Sequence, residues 1–257
     1  MKFCVLASGS RGNMTYLETE KSKILIDAGI TITAASSRCK NIDFSKITDI
    51  FITHYHTDHV KFLRTVMMKT NAKLYIHKNC YKHLEADVKA ELKKHYVYFI
   101  EENCRYEIDD FVVYTLLLSH DTESTLGYIF ESGGIKLTYI TDTGILFDKY
   151  LEDLQSSDVL IIESNHSVEA LLASARDWRL KQRILSDVGH LSNQKCCEVL
   201  HSIANTLHGY VVLAHISEEC NSMQAINEEV ILQIKNEFSG EILVAKQNEA
   251  IGLIEIW

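Results

Sequence analysis

The chain is expected to fold as an α/β protein in which two mixed β-sheets lie between helices, as a single domain over residues 1–257. Three observations lead there. Apolar, β-branched runs bounded by Gly, Asn or Asp recur along the whole sequence. Helix-like stretches alternate with them. The early runs also follow one another directly, which argues for two mixed sheets rather than one doubly wound sheet. Apolar content of 46% is ample for a core, and no linker, low-complexity tract or solenoid-spaced repeat divides the chain.

The first strand is Lys2–Ala7. Its apolar run has the look of a secretion signal, but it is too short, and Ser8-Gly9-Ser10-Arg11-Gly12 ends it. Met14–Glu18, Lys23–Asp27 and Asp49–Thr53 follow as strands. A helix is expected over Val60–Lys69 with Asp58 as its cap, then a strand at Lys73–His77 and a mixed, charged helix over Asn79–Lys94. Phe111–Ser119, Leu126–Glu131 and Ile135–Thr141 read as strands, Ile145–Leu154 as a helix after Gly144, and Asp158–Glu163 as a strand. Asn193–Leu207 opens on a good cap residue, Tyr210–Ala214 is a strand, and Met223–Phe238 is an amphipathic helix that stops before Gly240. Glu241–Ala245 and Ile251–Ile256 are the last strands.

The formal charge of −9, from 26 basic and 35 acidic residues, makes the whole surface a poor non-specific binder of nucleic acid. A local site can still carry the opposite sign. No apolar stretch approaches the roughly 18–20 residues of a membrane span, so no membrane association is expected. The seven cysteines are scattered, odd in number and without a C-x-x-C pair. They fit reduced thiols in a cytoplasmic protein and argue against a structural zinc knuckle. Proline is absent, where about 13 would be expected from average usage, a depletion that bears on loop rigidity.

The segment Thr53-His54-Tyr55-His56-Thr57-Asp58-His59 places four potential metal ligands at the end of a buried strand. His54 and His56 are positioned to face one ion, Asp58 and His59 a second. Neither set is complete, because zinc-like ions usually take three or more protein ligands. Three further candidates each end an apolar strand: His120 after Val112–Ser119, Asp142 after Leu137–Thr141, and His215 after Val211–Ala214.

These residues resemble those of the metallo-β-lactamase superfamily. Ile24-Leu25-Ile26-Asp27-Ala28-Gly29 looks like its first motif, His54 to His59 the second, His120 the third, Asp142 the fourth and His215 the fifth. The likeness tightens to the WalJ/YycJ-like subfamily. It is carried there by six segments in order: Ala7 to Asn13, Ser119-His120-Asp121, Thr141-Asp142-Thr143-Gly144, Glu163-Ser164-Asn165-His166, Gly189 to Asn193, and Leu213 to Ser217. The resemblance implies an αββα sandwich with its site at the upper rim. It implies two divalent metal ions, with His54, His56 and His120 on the first, Asp58, His59 and His215 on the second, and Asp142 bridging. It further implies a metal-dependent hydrolase with 5′-to-3′ DNA exonuclease activity linked to mismatch repair. Tyr55, where many relatives carry Glu or Lys, is not an expected ligand. Prolines that relatives often have near Thr125, Ala175 and Met223 are absent.

Two ions about 3.5–4 Å apart share a water and lower its pKa towards ~7, so a metal-bridging hydroxide is the expected nucleophile. Asp58 orients it or takes its proton. Two dications against Asp58 and Asp142 leave a formal surplus of about +2, which draws an anionic phosphodiester despite the acidic exterior. Ser8, Ser10, Arg11 and Asn13 are candidate substrate contacts, with loop N–H groups cradling a phosphate and Arg11 adding charge. The same loop equally suits a tight turn. His190, just before a helix, binds phosphate or protonates the leaving oxygen. Asp27 suits a role orienting a ligand. Glu163, Asn165 and His166 brace the site or touch substrate. Arg179, Lys181 and Arg183 form a solvated helix face or track a nucleic-acid backbone. His77, His83, His95, His201 and His208 lack ligand partners and read as surface or core residues.

The expected function is a dinuclear metal-dependent phosphodiesterase acting on DNA. Its alternative is a small-molecule metallo-hydrolase of a cyclic phosphodiester, thioester or lactam, which the acidic charge favours. A vestigial, non-enzymatic site is argued against by the full ligand set. An iron oxidoreductase of the flavo-di-iron type is argued against by His56 in place of Glu and by the lack of a flavin domain. A mixed His/Asp set tolerates zinc, manganese or iron(II), and the sequence leaves the oligomeric state open.

Overall fold

In the computed structural model, which describes residues 1–256, the chain builds two seven-stranded sheets. The first contains β1 (Lys2–Ala7), β2 (Met14–Glu18), β3 (Lys23–Ile26), β4 (Asp49–Phe51), β5 (Lys73–His77) and β6 (Val97–Ile100) in that spatial order, with β14 (Ile254–Glu255) outside β1. The second contains β7 (Arg105–Ile108), β8 (Phe111–Leu118), β9 (Thr125–Ser132), β10 (Ile135–Ile140), β11 (Val159–Glu163), β12 (Tyr210–Ala214) and β13 (Glu241–Val244), again in sequential order across the sheet. Each sheet joins an antiparallel half to a parallel half. β1 to β3 are antiparallel and β3 to β6 parallel; β7 to β10 are antiparallel and β10 to β13 parallel.

Side chains alternate between two apolar layers. Phe3 and Val5 of β1 enter the core between the sheets, whereas Cys4 and Leu6 face the helices outside. Val159 and Ile161 of β11 likewise point inward, and Leu160 and Ile162 outward. Strands buried on both faces therefore read as unbroken apolar runs. Phe51 anchors the inner layer. It stacks on Tyr75 at 4.5 Å and meets Tyr128 and Phe130 edge-on at 5.5 and 5.2 Å. Each such ring contributes about 1.5–3 kcal/mol through burial. The result is an αββα sandwich, as the sequence led us to expect.

Several element boundaries differ from expectation. β6 and β7 were not anticipated. β7 alternates exposed and half-buried positions with charged residues, so its apolar period is weak. The helix expected over Asn79–Lys94 is two helices, Lys78–His83 and Ala86–Leu92, because Leu84 turns into the core in an extended conformation. Helices Ile32–Arg38 and Val168–Ala173 lie where no element was expected. Asp58 does not cap a following helix; it lies inside the turn Thr57–Val60, and the longer helix starts only at Leu63. Ser192, not Asn193, caps the helix Asn193–Ile203, accepting from Lys195 N at 3.2 Å. The run from Met223 is helical only to Ile234 and passes through a π-turn at Asn227–Ile231. Among the described residues no helix is long and apolar enough to cross a membrane.

Candidate metal centre

The parallel strands of both sheets end at one rim, and the ligand-type residues lie immediately past those ends. Asp27 follows β3, Asp142 comes two residues after β10, and His215 follows β12. All three hold left-handed backbones, with φ of 64°, 60° and 53°. That conformation costs a non-glycine residue about 1–3 kcal/mol, and here it turns the chain sharply where each side chain enters the cluster. His54 and His56 come from the loop after β4, and Asp58 and His59 from the short helical turn Thr57–Val60. His120 follows β8.

Ligating atoms of His54, His56 and His120 lie within 4.8 Å of one another, as do those of Asp58, His59 and His215. Asp142 is close to both groups. It clusters with His54 and His59 on one side and with His215, His190 and Glu163 on the other. Hydrogen bonds behind the rings set which nitrogen faces inward. His120 Nδ1 donates to Gly189 O at 3.0 Å, His54 Nδ1 to Thr53 Oγ1 at 3.0 Å, and His59 Nδ1 to Asp27 Oδ2 at 2.7 Å. His215 Nδ1 donates to Glu163 Oε1 at 2.9 Å. Each of these rings then presents Nε2 to the cluster, the arrangement by which outer carboxylates and carbonyls orient metal-ligating imidazoles. His54 Nε2, His215 Nε2 and Asp142 Oδ2 are buried without a hydrogen-bond partner. Buried polar atoms are nearly always satisfied, so three convergent orphans that are all metal donors fit bound cations.

The electrostatics divide the cluster. Burial, then neighbouring imidazoles, keep His54 well below the usual histidine range, and burial with His120 lowers His56. Burial outweighs the nearby carboxylates to lower His120 as well. Neutral rings are ready-made donors. On the other side, burial opposes charge at His59 and His215, but the surrounding carboxylates outweigh it and raise both. Burial also opposes ionisation of Asp142, yet His215 and His59 hold it well down; His59 does the same for Asp58. Burial works against Glu163 too, but His190 and His215 bring it to about 2. Three more carboxyl groups than Asp58 and Asp142 thus border the site, Asp27, Glu163 and Asp121, the last paired with Arg183. The expected surplus of +2 with two dications shrinks toward zero.

The glycine-rich loop is arranged differently from expectation. Ser8 is buried and its Oγ accepts from His215 N at 2.7 Å. Asn13 is fully buried; it is clasped by Gly9 and aims Nδ2 at Asp58 Oδ2 and His59 Nε2, 3.2 and 3.0 Å away. Both side chains are turned toward the cluster, whereas Ser10 and Arg11 are exposed. Lys181 is also corrected. It is buried and donates to Leu172 O and Ser174 O, while Arg179 remains exposed. His190 stands in the site, its Nδ1 donating to Glu163 Oε1 at 2.8 Å and its ring 5.2 Å from that of His120. Asn165 donates to His215 O at 2.7 Å, and His166 is buried beside it. His77, His83, His95 and His201 face Glu102, Glu123, Glu91 and Glu237 away from the cluster, and His208 is exposed.

Asp121 had no role in the sequence reading. Its Oδ1 lies 3.4 Å from His56 Nε2 and 3.3 Å from His120 Nε2, and it pairs with Arg183. Its sequence signal is its place after His120 in the segment Ser119-His120-Asp121. A cavity of about 110 Å³ opens on the cluster between His120, His190 and His215 on one side and Arg176 and Arg183 on the other.

Gly29 shows how tightly the two motif loops are joined. A Cβ there would meet Asp58 O at 1.8 Å and Asn13 N at 2.4 Å, both backbone atoms. Gly29→Ala is therefore expected to destabilise the fold by about 3 kcal/mol and to lower metal content. Urea unfolding and metal analysis check both.

Residues 22–216 match the family model described as a β-lactamase superfamily domain. Over 242 residues the chain is 31% identical to the exodeoxyribonuclease YycJ of Bacillus anthracis, covering 92% of this chain and 90% of that protein. It is also 31% identical over 236 residues to the exodeoxyribonuclease WalJ of Streptococcus pneumoniae serotype 2, covering 91% and 88%. Among solved structures, Zn(2+)-bound PqqB from Methylobacterium extorquens superposes with a TM-score of 0.76 at 14% identity over the full length of both chains.

Proposed function

This chain belongs to the metallo-β-lactamase superfamily and is a metal-dependent hydrolase, and we propose that it cleaves DNA phosphodiesters as a 5′-to-3′ exonuclease with two divalent ions. The observation that carries this is the cavity wall, which His120, His190 and His215 line together with Arg176 and Arg183. A phosphodiester seated there touches the cluster and two guanidinium groups at once. The names of the two bacterial relatives support DNA as substrate. The subfamily resemblance supports the 5′-to-3′ polarity and a place in mismatch repair.

In this reading His54, His56 and His120 would hold one ion and Asp58, His59 and His215 the other, with Asp142 available to both. The ions, whether zinc, manganese or iron(II), supply water of lowered pKa and Lewis-acid stabilisation of charge on the phosphoryl oxygens. The chain's own groups do the rest. Asp58, already ionised and 20% exposed on its side chain, orients the attacking water or takes its proton. His190 hands a proton to the leaving oxygen or binds the phosphate, its ring fixed by Glu163. Asp27, Thr53 and Asn13 keep His54, His59 and Asp58 in register.

End-labelled single-stranded DNA incubated with manganese tests the reading. Shortening from the 5′ end is expected. Activity on a thioester, lactam or cyclic phosphodiester with intact DNA would favour the small-molecule reading, which the small cavity volume keeps open. His54→Ala, or stripping with a chelator, should abolish hydrolysis while far-UV circular dichroism stays unchanged. Undiminished cleavage by metal-stripped protein would refute the metal's role.

A further inference from the structure

Arg176 and Arg183 line the cavity, Arg11 follows Ser10 of its lining, and each of the three is held by a carboxylate. Arg11 pairs with Glu218, Arg176 with Glu219 at 2.9 Å, and Arg183 with Asp121. Glu218 and Glu219 are neighbours on the loop that leaves His215. One ties that loop to the segment 8–13, the other to the segment that precedes the helix Trp178–Leu185. The loop also separates two hollows. Ser217 belongs both to the cavity at the cluster and to a groove of about 560 Å³ that includes Glu218, Asn221 and Lys246.

Both glutamate pairs are open to solvent, with side-chain exposures of 60% and 51% for Arg11 and Glu218, and 27% and 70% for Arg176 and Glu219. Such pairs contribute only ~0–1 kcal/mol. A phosphate is a strong, bidentate partner for guanidinium and can take the place of either carboxylate. The cluster itself offers little net attraction, because its carboxyl groups nearly balance two dications. Attraction for an anion then rests on arginines that are masked until the ligand arrives.

We propose that Glu218 and Glu219 are specificity-determining residues. They occupy Arg11 and Arg176, two docking positions for backbone phosphates of a polynucleotide. A single phosphate ester regains one of these contacts at most. A strand carrying a phosphate on every unit displaces both carboxylates together, so the pair selects polyanions over small esters. This rests on the DNA reading above.

The test is binding of a fluorescein-labelled, cleavage-resistant phosphorothioate oligothymidylate to the metal-loaded chain, followed by anisotropy across a salt series. The double variant Glu218→Gln/Glu219→Gln should bind about three- to tenfold more tightly at low salt. Its plot of log affinity against log salt should steepen by roughly 0.7 per freed contact, the single-strand value. Glu107→Gln/Glu131→Gln, the same charge change at the opposite end of the second sheet, should do neither. Adding Arg11→Gln and Arg176→Gln to the first variant should cancel its gain. An unchanged affinity and slope in Glu218→Gln/Glu219→Gln, or an equal gain in the distant control, overturns the proposal even where DNA is still cleaved. If no protein in the series binds the strand and the wild type cleaves none, the DNA reading falls with it.

Discussion

Asp142→Ala is expected to reduce phosphodiester hydrolysis by about three orders of magnitude or more and to lower bound metal. Asp142 clusters with His54 of one half of the site and with His59 and His215 of the other. Its Oδ2 lies 3.3 Å from His59 Nε2, and its Oδ1 lies 3.4 Å from His215 Nδ1. Oδ2 is buried without a hydrogen-bond partner. Removing the carboxylate deletes a donor shared by both candidate ligand groups and takes one buried counter-charge from His59 and His215, leaving Asp27 to the first and Glu163 to the second, which weakens the site and the fold together. Elemental analysis of the purified variant, beside turnover of bis(p-nitrophenyl) phosphate, reads the two effects separately. Wild-type metal content with wild-type turnover would remove Asp142 from the site.

His190→Ala is expected to lower turnover by about a hundredfold to ten-thousandfold with metal content retained. His190 is half-buried, faces the cavity, and is steered by Glu163, which also holds His215. The ring can therefore reach a substrate without being needed to hold an ion. It also lies within ligand distance of Asp142, Glu163 and His215. Loss of one metal equivalent in the variant would make it a ligand instead. A further discriminator is a substrate with a good leaving group such as p-nitrophenolate, whose departure needs less help. If His190 supplies a proton, the variant's deficit should shrink on that substrate; an equal deficit on DNA and on the activated ester would assign the ring to phosphate binding.

Most of the architecture could be read before any coordinates. β1 to β5 and β9 to β12 announce themselves as apolar runs because most positions on both faces are buried, and β8 as a long apolar run with one face half-buried. β7, at a sheet edge, has a partner on one side only and carries exposed charged side chains, so it left no such trace; β6 is a four-residue apolar run, Val97–Ile100, set between charged stretches and passed over for its shortness. The candidate ligands that the fold brings together could be picked out in the same way, since His54 to His59 lie within one short segment and His120, Asp142 and His215 follow strand ends. Asp121 was not, because nothing in its sequence surroundings shows that His56 Nε2 and Arg183 approach it. The partners of Ser8, Asn13 and Lys181 were hidden for the same reason: the polar type of a residue does not reveal whether its hydrogen bonds go to solvent, to substrate or back into the protein.

Residue type and spacing were enough to establish that strands converge on one rim carrying imidazoles and carboxylates, because that information is local: a period of two, a run of β-branched residues, a histidine pair in a tight turn. Three things needed the folded chain. Which nitrogen of each ring faces the ions is decided by acceptors far away in sequence, such as Gly189 for His120 and Asp27 for His59. The charge balance of the site depends on Asp27 and Glu163 being packed beside it. Whether an arginine meets a phosphate freely or through a carboxylate depends on loops 8–13 and 216–220 lying side by side. Each is a long-range juxtaposition, set by how the two sheets pack and not by any stretch of chain taken alone.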